Sequence, residues 1–175
     1  MQLPERKNLR LVGYDYSSNG AYFITICTQS KQMLLGTIVG AIHESPGPAA
    51  CMVLNKSGEI VKAVIEDFNK RYPEARIDKY VIMPNHIHLI ILVENGSAIR
   101  EEPLRKRSLT SVIVGAIKMT ASKKMRISND TINQIWQRGY HDHIIRNEDE
   151  YLRIWNYIDT NPAKWYEDRY YAITL

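Results

Sequence analysis

The stretch RIDKYVIMPNHIHLIILVE, residues 76–94, decides the fold. It predicts two strands, Arg76 to Met83 and His86 to Glu94, joined by the two-residue turn Pro84-Asn85. Pro84 sets φ near −65° at the first turn position, which suits a tight antiparallel hairpin with an unprimed turn. Side chains alternate faces along a strand. Ile87, Leu89, Ile91 and Val93 therefore form an apolar row on one face. His86 and His88 project from the other face, about 7 Å apart along the strand. The row is expected to pack on the core, with the imidazoles on the solvent side of the sheet.

Upstream, Ala21 to Gln29 alternates β-branched and aromatic residues and reads as a strand. Residues 36–52 carry Gly36, Gly40, Pro46, Gly47 and Pro48 and read as an irregular excursion or a hairpin. Leu54 to Arg71 has apolar residues at helical spacing (Ile60, Val61, Val64, Ile65, Phe68), and Tyr72-Pro73 ends it. Downstream, Glu94 to Leu104 is a charged loop. Ser108 to Arg126 is an amphipathic helix, Ile132 to Arg146 a short strand region, and a last helix from Asn147 or Glu148 runs to Asn161 and stops at Pro162. The first six elements make a β-α-β-β-α-β unit. The expected class is α+β: a ferredoxin-like sandwich with an antiparallel sheet and an additional C-terminal helix, in one domain over residues 1–175.

Composition is compatible with that reading. The chain has 175 residues, 45% hydrophobic and 24% charged, which suits a single globular core and excludes disordered, collagen-like and fibrous chains. No apolar run approaches the ~18 residues of a membrane span, and the N-terminal residues lack an apolar signal core. Cys27 and Cys51 are too few for a disulfide scaffold or a four-cysteine zinc site. A reducing cytoplasmic compartment is expected. The net charge is +4, but Arg100 to Arg126 holds eight basic residues against two acidic ones. Arg105, Lys106, Arg107, Lys123 and Lys124 are therefore candidate contacts for a polyanion such as DNA.

Two constellations can carry chemistry. Imidazoles at positions i and i+2, His86 and His88, can share a divalent metal or serve as hydrogen-bonded structural groups. Tyr157 and Asn161 stand at i and i+4 on the last helical turn, beside a core stripe of Tyr151, Ile154, Trp155 and Ile158. Pro162 disfavours helical geometry at Asn161. Tyr157 could line a cleft as a nucleophile or pack as one of eleven tyrosines. Tyr140 is the second nucleophile candidate. His143 could approach a site or serve as a hydrogen-bonded structural histidine, Cys27 reads as a core residue, and His43 joins no constellation. The chain carries no Walker loop, GxSxG or GxGxxG.

Four segments, in order, resemble the IS200/IS605-type tyrosine transposases and, more closely, the REP-associated tyrosine transposases. They are Asn19 to Thr25, Met83 to His88, Trp136 to Arg146 and Tyr157 to Trp165. The resemblance implies a ferredoxin-like HUH nuclease, His86-Ile87-His88 matching the motif that names it. It implies Mg²⁺ or Mn²⁺ held by His86, His88 and Asn161, where IS200-type chains usually carry Gln. It implies Tyr157 as the nucleophile that attacks single-stranded, hairpin-forming DNA, leaving a 5′-phosphotyrosine and a free 3′-hydroxyl. Monomer and homodimer both stay open, as does a module that binds a nucleic-acid hairpin without cutting it.

Overall fold

The computed structural model describes residues 19–40, 50–71, 75–94, 108–128 and 134–171. Arg105, Lys106, Arg107 and His43 lie outside them. In chain order the elements are β1 (Gly20–Cys27), β2 (Gly36–Val39), β3 (Cys51–Leu54), α1 (Lys56–Arg71), β4 (Ala75–Ile82), β5 (His86–Val93), α2 (Leu109–Ser128), β6 (His141–Ile145) and α3 (Glu148–Thr160). Short 3₁₀ turns follow β1 (Gln29–Lys31) and α3 (Pro162–Glu167).

The main sheet has the order β4-β5-β1-β6, antiparallel at every pairing. With α1 and α2 as its crossovers, this is the expected split β-α-β-β-α-β arrangement. The excursion at 36–52 contributes a separate ribbon, β2 paired with β3. Within the described part of the strand region expected over 132–146, residues 134–146, the strand formed is β6, and Trp136 makes an isolated bridge to Thr28.

The apolar row of β5 meets its predicted core. Ile87, Leu89 and Ile91 pack with Tyr22, Ile24 and Ile26 of β1 against Val61, Ile65 and Phe68 of α1 and Ile113, Ile117 and Ala121 of α2. Each such fully buried aliphatic contributes about 1.5–3 kcal/mol. Cys27 is buried at the end of β1, and burial pushes its thiol up to about 11. Among the described residues, no helix is long and apolar enough to cross a membrane.

The opposite face is not open to solvent as expected. Helix α3 crosses it, burying Ile158 against Ile90 and Ile145. A bulge in β4 between Ile77 and Lys79 helps seat the helix. The side chains there turn to α3: Asp78 accepts the Tyr151 hydroxyl, and the Lys79 ammonium lies 2.5 Å from Asp159 and 3.6 Å from the centre of the Trp155 ring. Trp155 is thus a half-exposed cation–π partner rather than a member of the core stripe. Asn147 caps the helix N-terminus, its side chain accepting from the Glu150 N–H at 2.9 Å, and three acidic residues in the first turn suit the helix dipole. At the other end Asn161 keeps helical angles (φ −57°, ψ −42°), against the bias set by Pro162. Pro162 opens the 3₁₀ turn directly, at the position where its missing N–H costs nothing.

Candidate active site

His86 and His88 are both fully buried. Their cover is the segment after α3: the Tyr170 ring lies 4.6 Å from that of His86, and Trp165 lies 6.0 Å away. Phe23 stacks on His88 at 5.0 Å.

Each imidazole is held by its far nitrogen. Asn85 donates through Nδ2 to the carbonyls of Lys31 and Tyr170, so its Oδ1 is left to accept from His86 Nδ1 at 2.8 Å. His88 Nδ1 pairs with the Thr25 hydroxyl at 2.9 Å, directly across the β1–β5 ladder. The two Nε2 atoms then face each other 3.0 Å apart. Without a cation, one must donate its proton to the other. Burial lowers the His86 pKa to about 4. It also drives His88 well below the usual histidine value, helped by the neighbouring charge of His86. Both rings are therefore neutral at pH 7: His86 presents an Nε2 lone pair, and His88 presents one once its proton moves to Nδ1, where the Thr25 hydroxyl can accept it.

The last turn of α3 brings its pair to the same place. The Tyr157 hydroxyl lies 3.3 Å from His88 Nε2 and donates to Asp168 Oδ2 at 3.1 Å. Burial, and then the charge of Asp168, push the Tyr157 hydroxyl up to about 12. Asn161 Nδ2 donates to the same carboxylate oxygen at 2.9 Å, which leaves Asn161 Oδ1 as a buried acceptor without a hydrogen-bond partner.

This donor set fits a divalent cation. Two neutral imidazoles converge and an oxygen acceptor is buried unpaired. His86, His88 and Asp168 each place a ligand atom within 4.8 Å of the others. Such a mixture of nitrogen and oxygen donors accepts several divalent metals.

Of the other expected residues, His143 lines a groove beside Tyr157, and Tyr140, Lys123 and Lys124 lie on the far side of the sheet. Tyr140 turns its hydroxyl to Ser111 of α2 at 3.0 Å, on the helix-covered face. His143 is an exposed structural histidine, 2.7 Å from Glu150. Lys123 and Lys124 are exposed on α2, across the sheet from the histidines. The groove beside Tyr157, of about 560 Å³, is lined by Arg153 and Arg169, by the acidic residues Asp142 and Glu150, and by Phe23, Thr25, His141 and His143.

Asp168, Arg153, Arg169 and the supporting roles of Thr25 and Asn85 were missed in the sequence. Thr25 and Asn85 stand inside the motifs, and only pairing shows what they hold. Asp168 follows a proline-started turn and stands in no motif.

No family model matches the chain. It is 38% identical, over 95% of its length and 93% of the other, to an uncharacterized protein of Haemophilus influenzae. Among solved structures it superposes on a REP-associated tyrosine transposase bound to a REP hairpin. That match has a TM-score of 0.57 and 19% identity, and covers 94% of this chain and 74% of the other.

Proposed function

This chain belongs to one family with the Haemophilus influenzae protein and has the fold of a tyrosine transposase, and from its site we propose that it is a metal-dependent, tyrosine-mediated single-strand DNA endonuclease and strand transferase. One observation carries the reading: the Tyr157 hydroxyl lies 3.3 Å from an imidazole nitrogen that itself converges with a second at 3.0 Å. A structural tyrosine has no need of two desolvated histidines in contact.

In this reading His86, His88 and Asn161 hold Mg²⁺ or Mn²⁺. The bound ion supplies Lewis-acid polarisation of a phosphate, which a phenol, a poor nucleophile, requires. Asn85 and Thr25 orient the rings, and burial keeps them unprotonated. Asp168 holds the Tyr157 hydrogen in the resting state. The Tyr157 oxygen forms a bond to phosphorus as its proton passes to the Asp168 carboxylate that holds it, the bond to the 3′ oxygen breaks and that oxygen takes up a proton, leaving a 5′-phosphotyrosine and a free 3′-hydroxyl. Reversal rejoins strands. Phosphate contacts come from Arg153 and Arg169 in the groove and from Arg105, Lys106, Arg107, Lys123 and Lys124. The substrate in this reading is hairpin-forming single-stranded DNA, and the solved neighbour is bound to a REP hairpin.

The test is a denaturing gel of the chain with Mn²⁺ and labelled single-stranded hairpins from the DNA flanking its own gene. The expected result is a label shifted by the mass of the protein. Hairpin binding with no adduct would leave a binding module on the same fold.

A further inference from the structure

A site of His86, His88 and Asn161 has only neutral ligands. A divalent cation in it would keep its full charge in a region from which water is excluded, which is costly. Asp168 is the charged group that the fold brings there. A ligand oxygen of its carboxylate lies within 4.8 Å of ligand nitrogens of both histidines. It is also held in place before any cation arrives. Its backbone N–H closes the 3₁₀ turn on the Trp165 carbonyl at 3.1 Å, and Oδ1 accepts from the Tyr170 N–H at 2.6 Å. Tyr170 in turn is pinned by Asn85, the residue that orients His86. The Asn161 amide follows Asp168, since its Nδ2 is turned to Oδ2.

We propose that Asp168 is a direct ligand of the metal, so that the site is two histidines and one carboxylate, with Asn161 as an added neutral donor. The proposal deepens, and rests on, the metal-dependent reading above. A carboxylate halves the buried charge and shifts the donor set towards hard cations such as Mn²⁺ and Mg²⁺, where two imidazoles alone would suit zinc or nickel. Asp168 also accepts the Tyr157 hydroxyl. One side chain therefore joins the cation to the nucleophile, and the segment after α3 becomes part of the metal site rather than a cover.

The experiment titrates Mn²⁺ into the full chain and follows free Mn²⁺ by its electron paramagnetic resonance signal, for wild type, His88→Ala, Asp168→Asn and Asp168→Glu. Asp168→Asn is expected to weaken binding by about tenfold or more, as His88→Ala does, with Asp168→Glu in between. Pulsed resonance of wild type labelled with ¹³C-aspartate needs no variant and is expected to show a carboxylate carbon coupled to Mn²⁺. Asp168→Asn binding within about twofold of wild type, or no ¹³C coupling, overturns the proposal and leaves Asp168 as a holder of the Tyr157 hydrogen. Wild type that binds no Mn²⁺ overturns the metal-dependent reading itself, and this inference with it.

Discussion

On one face of β5, Ile87, Leu89 and Ile91 are fully buried under α1 and α2; on the other, His86 and His88 are buried as completely under α3 and the turn that follows it. Equal burial does different work on the two faces. On the helix-covered face it removes apolar surface from water and stabilises the fold. On the α3 face it strips water from two imidazoles and an amide, holds the imidazoles neutral, raises the pKa of the partly exposed Tyr157 and leaves an oxygen acceptor unpaired. The first face is mainly aliphatic, with the indole N–H of Trp136 buried there without a hydrogen-bond partner among the described residues. The second gathers converging imidazoles, a carboxylate and an unpaired oxygen acceptor, a donor set compatible with a divalent cation.

The largest expected effect divides two tyrosines between these faces. Tyr157→Phe should abolish the covalent DNA adduct while hairpin affinity and fold persist, because only a half-exposed hydroxyl is removed. Tyr140→Phe, on the helix-covered face, should keep adduct formation. Adduct formation by Tyr157→Phe but not by Tyr140→Phe would reverse the assignment of the two faces.

A pair of neighbouring truncations compares the faces directly. Leu89→Ala should cost about 3 kcal/mol, the transfer and cavity terms together. His88→Ala should cost less, roughly 1 kcal/mol, because a desolvated polar ring is removed with the packing. It should nonetheless lose Mn²⁺ binding. Had His88 stood in solvent, as the strand pattern suggests, its removal would be free. Urea melts of the two variants check both numbers, and a larger loss for His88→Ala would mark the imidazole as structural.

Acid should act through the α3 face. Histidines with a folded pKa below the unfolded one bind more protons when unfolded, so their contribution is full above pH 6.5 and falls as the pH drops towards about 4. Between pH 7 and pH 4.5 the metal-free chain should lose roughly 2 kcal/mol through His86. The loss should be much smaller in the His86→Ala, His88→Ala double variant. Equal acid sensitivity in that variant would place the effect elsewhere.

The smallest effect concerns how far DNA reaches. Arg153→Ala and Arg169→Ala should each lower the salt slope of single-strand binding by about 0.7. Lys123→Ala with Lys124→Ala should together lower it by about 1.4 if the strand wraps from the groove to α2. An unchanged slope for the lysine pair would confine DNA to the α3 face.

Local patterns carried much of this protein. Period-two alternation in residues 86–93 decided the strand and put both histidines on one face. The i and i+4 spacing of Tyr157 and Asn161 put them on one helical turn, and Asn147 marked where that helix begins. These are short-range consequences of backbone geometry, and a chain segment carries them unaided. What covers the histidines was not legible, because a strand's pattern says which side faces the core and nothing about a second layer arriving from 70 residues away. The seating of α3 through the β4 bulge, the bond from Thr25 to His88, the Asn85 link to Tyr170 and the arrival of Asp168 all join residues remote in sequence. So does the separation of Lys123 and Lys124 from the histidines by the thickness of the sheet. Residue types and their periodicity determined which side chains could do chemistry; the packing of α3 and its following turn across the sheet decided which of them meet, because contact between distant segments is set by the fold of the whole chain.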